Sequence, residues 1–445
     1  MKFICYYAQE FEDFRLTELQ SICNIFNIQV IMYLDQYDIS RPYLIISVDS
    51  VTMVQQILSR SVLLKSISEY WAEGVSLEDV GTHFKQFFNF KKNINTKDKE
   101  SFKFQIESTN KKLSMEEKVH YMESLQRYVE FSGEVDLKSP TAVYLLMLHF
   151  NTEKIPSHIY FGKLVGVSQR NQIHVFNLKT RYFIGNTSMD PQLAFIMANI
   201  AEVQNKSFCY DPFVGTGSII LACSHFGGIS GGSDIDFNVV FGRGKSSRAG
   251  SNLKAQNEIV RTNFEHYKIE KKYWDILACD ATHMPIRANE LFDVIVTDPP
   301  YGIREGGRKL GSKKDSTWEI PENLREEHIP AKKFHALSSI IMDLFKFSFK
   351  YLVVGGRLVY WLPVFRPSYS EEIIPKYPGF KLTANCEQVL TTKISRRLIT
   401  MVKTTKFEFQ ECGNESLSTV NHQSMDWIKQ QDNFRNNYFK KQDVS

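Results

Sequence analysis

From residue 205 to residue 405 the apolar positions fall into short runs separated by stretches of helical spacing. The runs at 206–210, 229–234, 274–279, 291–297, 357–362, 384–390 and 397–403 each predict a strand. Strands that alternate with helices predict a doubly wound parallel sheet of the α/β class. The last two runs have no helix between them, so they predict an antiparallel hairpin at one edge. The N-terminal third has a smaller grain. Residues 2–7, 28–34, 43–48 and 102–106 read as strands, and Leu16, Leu19, Ile22, Cys23 and Phe26 recur at helical spacing. A helix is expected to open near Asp49 and Ser50, and Ser114-Met-Glu-Glu117 has the form of a capping box whose helix runs to about Val129.

Around residues 150–190 the pattern changes. Ile155-Pro156 interrupts the chain, 159–167 is a further strand, and Asp190-Pro191 supplies an N-cap and a first-turn proline to a helix whose buried stripe is Leu193, Ile196, Met197 and Ile200. The expected organisation is an α+β region over 1–155, an α/β domain over 156–405, and a polar tail over 406–445. The tail's closing aromatics, Phe434, Tyr438 and Phe439, suggest docking onto the body.

Composition narrows the class. A chain of 445 residues, 43% hydrophobic and 13% aromatic, is long enough for more than one packed core. No apolar run is long enough to span a bilayer, and the N-terminus lacks the hydrophobic core of a signal peptide. Seven cysteines occur without a Cys-x-x-Cys pair, which argues against a zinc cluster or a disulfide framework and fits a reducing, cytoplasmic setting. A net charge of +4 permits nucleic-acid binding through local patches.

The chemistry lies at the ends of the predicted strands. Asp211-Pro-Phe-Val-Gly-Thr-Gly217 closes the first, and its glycines let the backbone approach a nucleotide-like ligand, although Ile220 stands where a dinucleotide fingerprint has a third glycine. The next strand ends in Asp234-Ile-Asp236, at the place of a ribose diol. The third ends in Asp280, suited to accept from an adenine amino group. The fourth ends in Asp298-Pro-Pro-Tyr301. Each acid taken singly is as readily a cap or turn residue; together they form a ligand site. An exocyclic amine on a base is a poor nucleophile, because its lone pair is delocalised into the ring. The Asp298 carboxylate and the Pro299 carbonyl can each accept one of its N–H bonds and free the lone pair, while Pro300 stiffens the turn and Tyr301 offers a stacking face. Basic residues gather nearby, in Phe241-Gly-Arg-Gly-Lys-Ser-Ser-Arg248 and at Arg304, Arg308, Lys309, Lys313 and Lys314. They are read as phosphate contacts, with Arg396-Arg397 as a further pair. His283 is the histidine nearest these motifs and is read as structural.

Several segments resemble the catalytic subunit of the eukaryotic tRNA guanosine-10 2-amino-methyltransferase family: 208–236, 292–304, Gly356-Arg-Leu-Val-Tyr-Trp-Leu-Pro363, Ser395-Arg-Arg-Leu-Ile-Thr-Met401, Glu10-Phe-Glu-Asp-Phe-Arg15, Tyr160-Phe-Gly162 and Arg181-Tyr-Phe-Ile-Gly-Asn-Thr-Ser-Met-Asp190. The resemblance implies a Rossmann-like, S-adenosylmethionine-dependent methyltransferase domain with an antiparallel last strand, preceded by a THUMP-type RNA-binding region. It implies tRNA as substrate and a small zinc-binding activator subunit as partner, with no membrane and no DNA. By position, Asp211, Phe213, Gly215 and Gly217 would line the methionine end, Asp234 would hold the ribose, Ile235 would pack on adenine and Asp280 would read its amino group. Asp298, Pro299, Pro300 and Tyr301 would hold the guanine, with Arg304, Arg308 and Lys309 on the RNA. Two other readings use the same residues: an adenine 6-amino methyltransferase acting on DNA or RNA, and a non-catalytic RNA-binding scaffold. The intact acid and glycine set argues against the second.

Overall fold

A computed structural model describes residues 1–91, 101–129, 133–185, 187–242, 259–287, 289–301, 307–311, 322, 331–407 and 434. The chain forms two compact units, one of Met1–Arg15 with Phe26–Asn171, the other of Leu16–Ile25 with Gln172–Ser445.

In the first unit, β1 (Lys2–Tyr7), β2 (Ile31–Met32), β3 (Tyr43–Ser47), β4 (Leu64–Glu69), β5 (Ala72–Gly74), β6 (Phe102–Thr109), β7 (Ala142–Phe150) and β8 (Pro156–Val167) form one sheet. Its order is β2-β3-β1-β4-β8-β7-β6, with β5 also on β8. Only β6 and β7 pair in parallel. Helices α2 (Val51–Leu58), α3 (Leu77–Lys91) and α4 (Met115–Gln126) belong to this unit. Ser50 caps α2 by accepting from Met53 N–H, and Ser114 with Glu117 forms the expected reciprocal box at α4. Trp71, Phe84, Leu125, Leu148, Phe150 and Phe161 make the core under α3 and α4.

Two expectations shift here. The strand read at 28–34 shrinks to Ile31–Met32, because it pairs only with the end of β3 and Ile31 stays 63% exposed. The unit runs on to Asn171 rather than stopping at 155, because β8 is laddered to β7, β4 and β5. Helix α1 (Arg15–Ile25) is the opposite case. All but its first residue cluster with the second unit, where Glu18 accepts from Asn199 Nδ2 at 2.9 Å, Asn24 Nδ2 donates to Glu202 at 2.7 Å and Cys386 Sγ meets Thr17 Oγ1 at 3.2 Å.

The second unit contains α5 (Asn171–Val175, entered at the boundary), α6 (Pro191–Ile200), α7 (Ser218–His225), α8 (Phe237–Val240), α9 (Val260–His266) and α10 (Leu337–Tyr351). Its main sheet has β9 (Phe208–Asp211), β10 (Ile229–Asp234), β11 (Tyr273–Ala278), β12 (Phe292–Thr297), β15 (Leu352–Phe365), β16 (Phe380–Val389) and β17 (Ile394–Lys403) in the order β11-β10-β9-β12-β15-β17-β16. The pairs from β11 through β15 are parallel and β17 is antiparallel to β16, as the sequence predicts; β17 also pairs antiparallel with β15, so that β16 alone forms this edge. A separate ribbon pairs β13 (Arg308–Leu310) with β14 (Lys332–Phe334). No helix among the described residues is long and apolar enough to cross a membrane.

Strand order reverses between β9 and β12. On one side the chain goes to β10 and β11, and on the other to β12 and β15, so the carboxyl ends of β9 and β12 flank a topological switch point, where open α/β sheets bind ligands. The elements around it are largely buried. Asp190 caps α6 through the N–H groups of Gln192 and Leu193, every residue of α6 is buried, and Tyr210, Ile295, Ile341, Leu344, Leu358 and Ile399 share one core with α10.

Lys403, fully buried at the end of β17, ties this core to the chain entering β12. Its Nζ lies 2.9 Å from Glu290 Oε1, 2.7 Å from Phe349 O and 2.8 Å from Leu352 O. Lys403→Met leaves one buried and one part-buried carbonyl without their donor. It should lower the unfolding free energy by about 2 kcal/mol or more, the scale of hydrogen bonds to charged groups. Denaturant unfolding checks this, and a loss under about 0.5 kcal/mol, as for an ordinary surface change, contradicts it.

Candidate active site at the carboxyl ends of the central strands

The fold brings the sequence-predicted acids to one end of the sheet. Asp211 closes β9 and is 1% exposed. Its Oδ1 accepts from the Phe213 N–H at 3.0 Å and from the hydroxyl of Thr297, the last residue of β12. Burial, only partly offset by these two bonds, pushes its pKa up to about 7. Among the described residues no cation pairs with this carboxylate, which is kept from water and so invites a positively charged group. Phe213 itself is half-buried against the core.

The turn that follows needs its glycines. Gly215 has φ 49°, and a Cβ there would project into open space, so the backbone is accessible to a ligand. Gly217 has φ 79°, and a Cβ would come within 2.5 Å of Val260 Cγ1. Asp234, at the end of β10, accepts from Gly215 N–H at 2.9 Å through one oxygen and from Asp236 N–H at 2.8 Å through the other. The turn and the second acid are thus one hydrogen-bonded assembly. Asp236 instead caps α8 and faces Lys332 at 3.6 Å, while Ile235 between them is half-buried.

Asp280 is 6% exposed and heavily engaged. One oxygen accepts from the Thr282 N–H and hydroxyl at 2.9 and 2.7 Å, the other from Leu310 N–H in β13 at 2.9 Å. Burial drives its pKa up, but these bonds outweigh it and hold the carboxyl below its usual range. His283, expected to be structural, meets the Thr282 hydroxyl through Nδ1.

Asp298 follows β12 directly. Its Oδ1 accepts from the Tyr301 hydroxyl and its Oδ2 from Arg396 Nη1 at 3.1 Å. Pro299 is buried, whereas Pro300 and Tyr301 are half-buried. Burial and the neighbouring carboxylate raise the Tyr301 pKa well above that of an ordinary phenol, so it stays a neutral donor. Through Thr297 and Asp211, the Asp298 turn is one residue from a direct side-chain bond to the glycine turn.

Of the basic residues, Arg308 is exposed and Lys309 half-buried on β13, and Lys332 and Lys333 face them from β14. Arg304, Lys313, Lys314 and the 243–248 part of the Gly/Ser-rich stretch lie outside the described residues. Arg397 stacks on Tyr369 at 3.8 Å and Arg396 turns inward, so this pair is engaged within the protein and does not present the open phosphate contact expected of it.

Apart from the Asp190 cap, the sequence pattern assigned no side-chain role to the segment 181–190, which packs against the glycine turn. Buried Arg181 donates to Ser218 Oγ at 2.7 Å and to Phe176 O at 2.9 Å, and Ser188 Oγ lies 2.7 Å from Thr216 Oγ1. Asn263 closes both backbone groups of Phe183. An arginine amid aromatics just before an N-cap was the available signal.

Residues 1–170 match the family described as Tmrp11 THUMP N-terminal domain, and residues 190–333 match the family N-6 DNA Methylase. The chain is 40% identical over 425 residues to the tRNA (guanine(10)-N(2))-methyltransferase TRMT11 of Bos taurus, covering 94% of this chain and 91% of that protein. It is 39% identical to the Homo sapiens protein of the same name, with the same coverage, and 34% identical to that of Dictyostelium discoideum over 90% of this chain and 82% of the relative. Among solved structures, TrmN from Thermus thermophilus is similar over 91% of this chain and all of that one, at 16% identity and a TM-score of 0.43. On this identity and coverage, the chain belongs to the tRNA (guanine(10)-N(2))-methyltransferase TRMT11 family.

Proposed function

We infer that this protein transfers a methyl group from S-adenosylmethionine to the exocyclic 2-amino group of guanosine 10 in tRNA. One observation carries the chemistry: the glycine turn with its buried acid and the Asp298-Pro-Pro-Tyr301 turn flank the same switch point and are bonded through Thr297 and Asp211. The tRNA substrate is supported by the relatives' name and by the THUMP match.

The residues fit the cofactor. Asp211 is a desolvated carboxylate suited to an ammonium group, Gly215 leaves room for close approach, and Asp234 offers acceptors at the ribose position. Phe213 and Gly217 complete the methionine end, with Ile235 and Asp280 on the adenine side. When bound, S-adenosylmethionine supplies an electrophilic methyl on a sulfonium. Asp298 and the Pro299 carbonyl accept the N–H bonds of the target amine, and the base takes the place of the Tyr301 hydroxyl on Asp298. Positive charge grows on the nitrogen as it is alkylated, and a fixed carboxylate stabilises it without acting as a strong base. The exposed Arg308, with Lys309 and with Arg304 of the adjoining segment, contacts RNA phosphates. The match to N-6 DNA Methylase favours a second reading, methylation of an adenine 6-amino group through the same turn.

A small zinc-binding subunit is the proposed partner, meeting the catalytic unit away from Tyr301. Its physical support is the open edge of the main sheet at β11, where Trp274 is 37% exposed. A cytoplasmic setting fits the described cysteines, none of which forms a disulfide.

Mass analysis of nucleosides from tRNA incubated with labelled cofactor should show N2-methylguanosine at position 10, and label on adenosine would favour the second reading. In the same assay Asp298→Ala should lower single-turnover rate about a hundredfold, the order lost with one transition-state contact, and leave cofactor affinity within about tenfold. Asp234→Ala should do the reverse and weaken cofactor binding by at least about tenfold. Near-normal turnover in the first, or unchanged affinity in the second, removes that assignment.

The sign of the pH dependence follows from Asp211. Its folded pKa of about 7 lies above the unfolded value of 3.8, so the stability it contributes is complete below that unfolded value and is lost as pH rises through about 7. A bound ammonium favours the ionised form, so cofactor affinity should rise between pH 6 and 8. Asp211→Asn should abolish this rise, weaken binding by about tenfold or more, and flatten the fall of the unbound protein's melting temperature over the same range. Calorimetric titration and thermal melts measure both, and parallel pH profiles for the two proteins contradict the assignment.

Co-expression tests the partner. The chain alone should be poorly soluble or weakly active, and the zinc-binding subunit should rescue both; full activity of a purified monomer excludes the dependence.

A further inference from the structure

The prolines after Asp298 fix the backbone of the turn, but they leave the aspartate side chain its two torsions. An acceptor that must meet a specific N–H bond in the transition state has to be held within about 0.5 Å, which requires a neighbour that is itself locked. The structure contains such a neighbour.

Arg396 is the third residue of β17 and is restrained on several sides. Its Nε donates to Gln388 Oε1 at 2.6 Å, from the register partner on β16. Its guanidinium carbon stands 4.2 Å from the ring centroid of Trp361, which is fully buried on β15 and donates through Nε1 to Met197 Sδ at 3.1 Å. Its Nη1 reaches Asp298 Oδ2 at 3.1 Å, and its side chain is 14% exposed. A planar fork stacked on an indole and bonded at Nε has little freedom left, so the carboxylate it holds inherits that rigidity. The same desolvated geometry is poorly suited to phosphate: an RNA phosphate would have to displace Asp298 from an enclosed arginine. The contact also lies on the opposite oxygen from the Tyr301 hydroxyl, so a base can replace the tyrosine while the arginine contact persists.

We propose that Arg396 is the positioning residue of Asp298, holding the carboxylate in the orientation that accepts the target amine, with Trp361 and Gln388 as the wall and the tether that fix the guanidinium. The inference rests on the reading of Asp298 given above. It is separable from that reading, since Asp298 could accept the amine without Arg396 setting its geometry.

A double-mutant cycle in the active full-length enzyme tests it, with single-turnover methylation rate, cofactor affinity and tRNA affinity measured for each variant. Arg396→Met should lower the single-turnover rate by about tenfold or more, the lower range for a lost orienting contact, with cofactor and tRNA affinities within about threefold. Arg396→Lys, which keeps the charge but not the fork, should recover part of that loss, and Gln388→Leu should show a smaller decrease of the same kind. In the Asp298→Ala background the Arg396→Met change should have little further effect. A loss confined to tRNA affinity and steepened by salt would identify a phosphate contact instead and overturn the proposal, as would an undiminished effect of Arg396→Met without the Asp298 carboxylate. If Arg396→Met does not fold, as judged by its melting transition, Arg396→Lys and Gln388→Leu carry the same cycle, and wild-type rates in both overturn it. Near-wild-type turnover of Asp298→Ala itself defeats the reading of Asp298, a result distinct from wild-type turnover of the Arg396 variants alone.

Discussion

One side-chain hydrogen bond, from the Thr297 hydroxyl to the Asp211 carboxylate, ties together the carboxyl ends of β9 and β12, the two paired strands at which the strand order reverses. It bridges residues 86 apart in sequence, and its position determines the rest of the site. Asp211 is buried because β9 is an interior strand, paired on both sides, and α6, α7 and α10 close over its neighbours. Thr297 is placed by β12, one residue before the reactive turn. A charge in that position is costly without a counter-charge. In the function proposed above, the ammonium group of the cofactor supplies it.

The contrast with Asp280 shows how little the residue type alone decides. Asp211 closes β9, Asp280 follows the end of β11 by two residues, and both are nearly inaccessible. Asp211 has two donors on one oxygen and is pushed towards neutrality, whereas Asp280 has donors on both oxygens and is held ionised. The difference lies in neighbours the sequence does not place nearby: Leu310 belongs to the β13–β14 ribbon, thirty residues further along. Environment pushes the two carboxylates in opposite directions, the general means by which one site sustains distinct carboxylate roles. Here Asp280 orders a turn through Thr282 and Leu310, and Asp211 is the carboxylate proposed to hold a cation.

Much of this was legible in the chain because it is written in local patterns. Alternating apolar runs predicted β9, β10, β11, β12, β15, β16 and β17. The missing helix between the last two predicted their antiparallel pairing, and Ser114-to-Glu117 and Asp190-Pro191 predicted their caps. What was not legible depends on long-range pairing. Residues 28–34 have strand composition but only one partner strand, so two residues pair. The basic stretch after Tyr301 reads as a loop, yet Arg308–Leu310 find Lys332–Phe334 across an interval no periodicity connects. Helix α1 has an ordinary apolar stripe that cannot say which body it serves, and its Glu18 finds Asn199, 181 residues away.

Arg396 and Arg397 show the same limit at the level of single side chains. Adjacent in sequence, they look like one basic pair near a turn. On a strand they point to opposite faces, and the sheet then decides their fates separately. Arg397 goes to Tyr369, Asn385 and Glu387, while Arg396 goes over Trp361 to Asp298. The antiparallel insertion of β17 between β15 and β16 is what brings an arginine across to the end of β12. A purely parallel sheet would have directed the start of that strand to the opposite end from the site. The departure from parallel order thereby delivers a cation to Asp298, the carboxylate proposed to accept the target amine.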